Sequence, residues 1–395
     1  MGKYLFNAHS HIFDFKCVPN HMSDKWYLKW IGINKIVTSK FSRVLAGKYS
    51  ALAGENKISR VLNFVAIGMN STQEEIFNIL QKNYANLGDA RFVVLPMDME
   101  YMGGGPIGKP YRQQLYDLMR LRVQYPDKMI PFLGIHPDRF KDRNETLRFV
   151  QEYIGKGKAF AGIKLYPATG YYPDDERLAD MYAFAEEHGL PITTHCTHGP
   201  THYLGKPPAL NKRNIDNRKF FHPLYYRMDG DTIVPNELFV HSRKPGDFQD
   251  NWTNPYIFRE TVLKKHPRLK VNFAHFGGAG RMAQYHKDGC TDTNNWYGII
   301  RRMLEDEVHY PNVYADISYT LTKKSVAGLL AADINDERIN RRILFGTDYY
   351  VVSVEQYEEA IKTGFFAELN DIVMLTKIAH DNVNTFLTSS FFKPA

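Results

Sequence analysis

The sequence has 395 residues and is poor in cysteine, with three: Cys17, Cys196 and Cys290. The count is odd, the three lie far apart and no CxxC occurs, which excludes a disulfide framework and fits a reducing compartment. Long apolar runs are missing, so no membrane span is expected. The chain reaches "NAHSH" by residue 7 without a basic-then-apolar leader, and a cytoplasmic enzyme with no membrane partner is the expectation. Also absent are repeats, low-complexity segments and Pro/Gly/Ser linkers, so one domain over residues 1–395 is expected. The net charge of +7 comes from 50 Lys+Arg against 43 Asp+Glu, and the basic residues are scattered. Nucleic acid is not an expected partner, since it calls for a clustered basic face. What is present is ordinary globular composition, 44% hydrophobic and 24% charged, enough for a sizeable core. Aromatic residues reach 14%, which hints at an aromatic-lined pocket, although an aromatic core is the plainer source.

Eight short apolar segments alternate with helical patterns. They are Leu5–Ile12, Phe92–Met99, Met129–His136, Phe160–Tyr166, Pro191–His195, Lys270–Phe276, Val313–Ser318 and Ile343–Asp348. Spacing at three and four predicts helices over Glu145–Tyr153, Glu176–His188, Ile257–His266 and Asn295–Val308. Alternating strand and helix implies a parallel sheet, and eight repeats imply closure into an α/β TIM (β/α)₈ barrel. Val61–Met69 could add a ninth strand, but it continues into helical spacing over Ser59–Tyr84 and reads as helix. Two insertions remain: a helical one after strand 1 (residues 13–90) and a long excursion after strand 5 (residues 199–268). The second should roof the C-terminal mouth, where such barrels build their sites.

Residues two apart on a strand share a face, so Asn7, His9 and His11 are expected to line one side. With 15 histidines a chance HxH pair is nearly expected, and the motif alone is weak. Position strengthens it. His195, His275 and Asp348 also fall at or near C-terminal strand ends, and imidazoles and a carboxylate gathered there suit one divalent ion such as zinc. A satisfied core histidine explains one such residue but not the set. His198 and His202 follow His195 as loop residues. His136 reads as structural, and Asp316 as a hydrogen-bonded barrel residue rather than a catalytic one.

The motifs "AHSHIFD", "GIKLYP", "LPITTHC", "VNFAHFGG" and "ILFGTDY" occur in the order seen in the metal-dependent amidohydrolase superfamily. The chain resembles most its amidohydrolase-2 branch, which contains aminocarboxymuconate-semialdehyde decarboxylase-like enzymes and related hydrolases, over residues 5–350. By that resemblance His9, His11, His195 and Asp348 would ligate the metal, and His275 would stand beside bound water or substrate. The family often carries an acidic residue where this chain has Asn7. Lys164 has three readings: an unmodified amine that binds substrate or shapes the field, a carboxylated bridge between two metals, or a solvent-exposed strand exit. The resemblance leaves Mn²⁺ or a second metal open beside a single Zn²⁺. Barrels of this kind often form homo-oligomers, and no sequence feature decides it.

The expected chemistry is hydrolysis of a small ester, lactone or amide. A bound ion lowers the pKa of water from about 16 towards 7. Asp348 would ligate and handle the water proton, while His275 orients the water or polarises the carbonyl. Lys164 completes the catalytic set. Tyr101, Tyr166, Tyr171, Tyr172, Tyr203, Tyr225, Tyr226, Tyr349 and Tyr350, with Arg213, Arg218, Arg227 and Arg243, suit a small planar acid or ester, or equally a packed lid. Decarboxylation of a small aromatic or unsaturated acid is the alternative on the same site, and a non-catalytic ligand-binding barrel is the alternative of another class.

Overall fold

The computed structural model describes residues 4–20, 57–197, 203–205, 226–229, 232–235 and 252–394. All eight expected strands form. They are β1 (Leu5–Ser10), β2 (Ala90–Val94), β3 (Met129–Ile135), β4 (Gly162–Leu165), β5 (Ile192–Thr194), β8 (Val271–Phe273), β9 (Val313–Asp316) and β10 (Ile343–Leu344). They pair in parallel, in that order. The sheet curls until its ends meet: Ala8 N–H donates to Phe345 O at 2.8 Å, and Asp348 N–H donates to His9 O at 2.9 Å. The result is a TIM barrel. Gly346 permits the contact, because a Cβ there would lie 2.8 Å from the Cβ of His9. Between β5 and β8 the chain adds a small antiparallel hairpin, β6 (Tyr226–Asp229) and β7 (Thr232–Pro235), which the sequence reading did not foresee.

Buried parallel strands carry apolar residues on both faces. Inside the barrel, Phe6, Ala8, Val93, Leu95, Ile130, Phe132, Ala161, Tyr314 and Leu344 pack with Val383, Phe386 and Leu387 of the helix Asn382–Leu387. The larger core lies between the sheet and its outer helices. Above the apolar interior the lining turns polar: Lys164, Thr193, Asn272 and Asp316 are all buried.

Val61–Met69 is helical, as expected. The long helical stretch is two helices, Lys57–Asn70 and Gln73–Asn83. The second starts at Thr72, whose side chain accepts from Glu75 N–H while the Glu75 carboxylate accepts from Thr72 N–H. That reciprocal cap satisfies two amide donors that a helix start leaves bare. The expected helix at 257–266 is a short α-helical piece, Pro255–Phe258, followed by a π-turn, Arg259–Leu263.

One local departure matters for the site. The β1–β2 register slips between Asn7 and Ser10. Simple alternation would put Asn7 beside His9 and His11. The slip leaves Asn7 among the outer helices, where it donates to Tyr84 Oη at 3.0 Å. His9 and His11 turn into the barrel mouth. Asn7 stabilises the irregularity it borders, since its Oδ1 accepts from His9 N–H at 3.1 Å.

Candidate metal centre

The site is built from strand ends. His9 Nε2, His11 Nε2 and Asp348 Oδ1 converge: the two nitrogens are 3.2 Å apart, and Asp348 Oδ1 lies 3.4 and 3.1 Å from them. All three residues are buried. The far nitrogen of each imidazole is tied to a group that can only accept. His11 Nδ1 lies 2.6 Å from Leu95 O, and His9 Nδ1 lies 3.0 Å from Asp316 Oδ2. Each Nδ1 therefore carries the proton, and each Nε2 points a lone pair at the other and at a carboxylate. Three acceptors facing one another at contact distance repel unless a cation lies among them. Donor atoms that share a four-coordinate zinc ion at about 2.0–2.1 Å stand roughly 3.3 Å apart, so the observed spacing fits such an ion.

A second cluster, His9, His275 and Asp316, is equally close but different in kind. Its contacts pair donors with acceptors. Asp316 takes hydrogen bonds from His9 Nδ1, from Asn272 Nδ2 at 2.7 Å, and from the amides of His275 and Ser318, both at 3.1 Å. The Ser318 hydroxyl also donates to it. Burial would raise the Asp316 carboxyl, but His9 and these donors hold it well below the usual range. Asp316 is thus the hydrogen-bonded barrel residue expected, and its particular task is to fix the tautomer of His9.

His275 and His195 extend the row of rings. His275 Nδ1 lies 3.1 Å from Ser318 O, which leaves its Nε2 open towards His195 Nδ1 at 3.3 Å. His195 in turn directs Nε2 at Thr197 O, 3.1 Å away, so its Nδ1 also presents a bare lone pair. His195 is not among the His9, His11 and Asp348 ligand atoms, which lie within 4.8 Å of one another. Burial lowers the pKa of His9 to about 3, and of His195 and His275 below the ordinary value, so all three are neutral near pH 7.

The backbone is strained here. His275, Tyr319 and Asp348 have φ of 65°, 59° and 69°. Such conformations cost roughly 1–3 kcal/mol each in residues other than glycine, and they persist where surrounding structure over-determines them.

Lys164 is buried on β4, which rules out the solvent-exit reading. Among the described residues its Nζ has no hydrogen-bond partner, and it lies 5.9 Å from the centroid of Tyr166. Burial lowers its pKa to about 8, with Asp316 and Asp348 opposing the shift, so most of the amine is charged at neutral pH.

The aromatic candidates divide. Tyr166 lies over His195, with centroids 4.3 Å apart, and Tyr101 stacks on His136 at 5.1 Å. Tyr171 donates to Ile135 O, Tyr172 and Tyr203 pack edge-on to Trp252, and Tyr349 and Tyr350 are interior. His198, His202, Tyr225, Arg213, Arg218 and Arg243 lie outside the described residues, as do the side chains of Tyr226 and Arg227. Sequence reasoning missed Ser318 and Asn272. The first had a signal, since "YADIS" sets Asp316 and Ser318 two apart at a strand end.

A parallel eightfold barrel with histidines and an aspartate at its C-terminal mouth defines a class of metal-dependent enzymes. Residues 110–383 match the family described as Amidohydrolase, and the chain belongs to that family. Solved structures agree on the fold. The chain is similar to 5-carboxyvanillate decarboxylase of Novosphingobium aromaticivorans, solved with manganese, at 13% identity and TM-score 0.54, over 98% of this chain and 97% of that one. It is similar to 2,6-dihydroxybenzoate decarboxylase from Rhizobium at 14% identity and TM-score 0.51, over 98% of both chains. A TIM-barrel protein of Bordetella bronchiseptica aligns at 16% identity and TM-score 0.52, over 98% of both. No curated protein matches the sequence. Among the described residues no helix is long and apolar enough to cross a membrane.

Proposed function

We propose that the protein is a metal-dependent decarboxylase of small aromatic or unsaturated carboxylic acids. The observation that carries this reading is Lys164, a buried ammonium without a hydrogen-bond partner among the described residues, on the barrel lining beside the bare lone pairs. A cation held in low dielectric beside a metal site calls for an anionic substrate. Tyr166, close to both Lys164 and His195, supplies a flat wall for a planar acid. Solved relatives in fold that carry decarboxylase names support the same direction.

His9, His11 and Asp348 would hold one divalent ion, with His195 Nδ1 as a further donor. The nitrogen and oxygen set suits Zn²⁺ or Mn²⁺. Bound there, the ion supplies Lewis-acid stabilisation of negative charge on a substrate oxygen. Lys164 pairs with the carboxylate or an adjacent oxygen and orients the ring. The bond to the carboxyl carbon breaks, its electron pair stays on the ring or vinyl carbon, and carbon dioxide leaves. That carbon then takes a proton. His275, with Nδ1 tied to Ser318 and Nε2 open, relays it from solvent. Asp316 and Ser318 hold the rings still.

Hydrolysis is the second reading. It is favoured by Asp348, whose carboxylate beside the two imidazoles could take the proton of a water. The deciding experiment incubates the protein with Mn²⁺ or Zn²⁺ and two panels, hydroxybenzoates with unsaturated acids, and chromogenic esters with lactones, in deuterated water. Carbon dioxide release with deuterium at the vacated carbon is expected. Turnover of esters or lactones with no acid consumed would overturn decarboxylation in favour of hydrolysis.

A further inference from the structure

Outside the barrel wall, behind the proposed ligands, lies a closed polar network of four residues. Asn7 Nδ2 donates to Tyr84 Oη at 3.0 Å and to Thr347 Oγ1 at 2.8 Å. Tyr84 Oη and Thr347 Oγ1 both donate to Glu358 Oε1, at 2.6 and 2.9 Å. Asn7 Oδ1 accepts from two backbone amides, His9 N–H at 3.1 Å and Thr347 N–H at 3.2 Å. Asn7, Tyr84, Thr347 and Glu358 are all buried.

The proton inventory gives the network a direction. An amide has two N–H donors, and both of Asn7's are used, on two hydroxyls. Each hydroxyl has one proton, and both point at the same carboxyl oxygen. Glu358 is therefore the terminal acceptor. Without it, the Tyr84 and Thr347 hydroxyls lose their acceptor, and nothing fixes which way they or the Asn7 amide point.

The placement matters as much as the direction. The two amides held by Asn7 belong to the two segments that carry His9 and Asp348. One is the register slip in β1, and the other is the chain leaving β10. The second leads straight into the left-handed backbone of Asp348. At that point the two segments are joined to each other by an isolated parallel bridge, Ser10 with Tyr349, and by the bond from Asp348 N–H to His9 O rather than by a regular ladder, and Asn7 adds a side-chain tie to both.

We infer that Glu358 is a positioning residue, which acts through Thr347, Tyr84 and Asn7 to set the distance between His9 and Asp348. The inference rests on the proposed metal site and deepens it. Glu358 touches neither ion nor substrate. It anchors a clamp that spaces the ligands, and its effect belongs in metal affinity before it appears in turnover.

The test is Mn²⁺ affinity of the metal-free protein, measured by competition with a chelating dye, together with the melting temperature of the same samples. Glu358→Leu removes the acceptor and should weaken Mn²⁺ binding about 10–100-fold, the usual effect of removing a ligand's outer partner. Glu358→Gln keeps a carbonyl oxygen in place and should restore affinity to within about threefold of wild type. Thr347→Val should weaken binding in the same direction, and the Thr347→Val/Glu358→Leu double variant should be little worse than either single, as for groups acting as a unit. A merely structural role predicts lower melting temperatures with unchanged affinity in the folded protein, and that result overturns the inference. If Glu358→Leu fails to fold, Tyr84→Phe and Thr347→Val carry the same comparison. His11→Ala separates the two ideas. Loss of binding there with wild-type affinity in the network variants sinks the clamp alone, whereas a wild-type protein that binds no Mn²⁺ sinks the metal site and the clamp with it.

Discussion

Two sides of the barrel mouth both carry charged groups and use them differently. Beyond β2, β3 and β4, Arg139 donates to Asp98 at 2.8 and 2.9 Å and to Glu100 at 2.6 Å. Arg177 donates to Asp138 at 3.0 Å and to Asp175 at 2.7 Å. There each cation meets carboxylates. At β1 and β10, and at Lys164 inside the wall, polar atoms are brought together without mutual satisfaction. His9 and His11 face each other with lone pairs, Asp348 adds a carboxylate oxygen, and the Lys164 amine has no hydrogen-bond partner among the described residues. Desolvating such groups without compensation costs several kcal/mol each, so this arrangement suits a cation among the lone pairs and an anion at the amine. Charge alone does not mark the functional side. Mismatch of donors and acceptors does.

The strongest way to break this comparison is at Asp348. Asp348→Ala should abolish bound metal, measured by elemental analysis after dialysis, and take turnover to background, because two imidazoles alone hold a divalent ion poorly. Retained stoichiometric metal with full rate would show that the facing lone pairs have another explanation. The next effect in size belongs to Asp316→Asn. The amide can offer N–H where the carboxylate accepted, which lets His9 turn its proton towards the site. Metal affinity should fall about 10–100-fold with the ligand set intact. Unchanged affinity in a calorimetric titration would remove Asp316 from the account.

Much of this was readable beforehand because of where residues sit on strands. All eight barrel strands follow from short β-branched runs spaced by helical patterns, and His9, His11, His195, His275 and Asp348 stand out by falling at their C-terminal ends. The side of β1 on which Asn7 lies was not readable. Period-two alternation assumes an unbroken register, and the slip between Asn7 and Ser10 is set by contacts with Thr347, far along the chain. Glu358 was invisible for a similar reason. It opens an outer helix, Glu358–Leu369, where an acidic residue is ordinary helix-start chemistry. Only the fold brings it against Tyr84 and Thr347. Lys164 was legible as a candidate, but its burial was needed to choose among its readings.

The satisfied side supplies the control. Asp98→Ala leaves Arg139 with Glu100 alone in a largely buried setting, and folding stability should fall by about 3–5 kcal/mol, as when one member of a buried pair is removed. Denaturant titration measures this. Metal affinity should stay within about twofold of wild type. A large loss of affinity instead would mean that the two sides of the mouth are coupled.

The smallest effect sharpens the comparison at Glu358, which has one oxygen in each category: Oε1 accepts two hydrogen bonds and Oε2 has no hydrogen-bond partner among the described residues. Burial raises its pKa to about 7, against the hydrogen bonds from Tyr84 and Thr347 and the charge of Lys362, while the Asp348 charge adds to the rise. An unfolded glutamate titrates near about 4.3. The folded protein thus holds this proton more tightly than the unfolded chain. The stability it contributes is complete below about pH 4 and is lost as pH rises through about 7. Glu358→Gln has no such proton. Measured on metal-free protein by denaturant titration, the Gln variant should gain on wild type across pH 4.5–7 by up to about 3 kcal/mol, then run parallel above. Comparing the two chains cancels the buried histidines, whose depressed pKa values give the opposite slope as pH falls below about 6.5. A flat difference would mean that Glu358 is already ionised in the fold, and that its bare oxygen has found a cation as well.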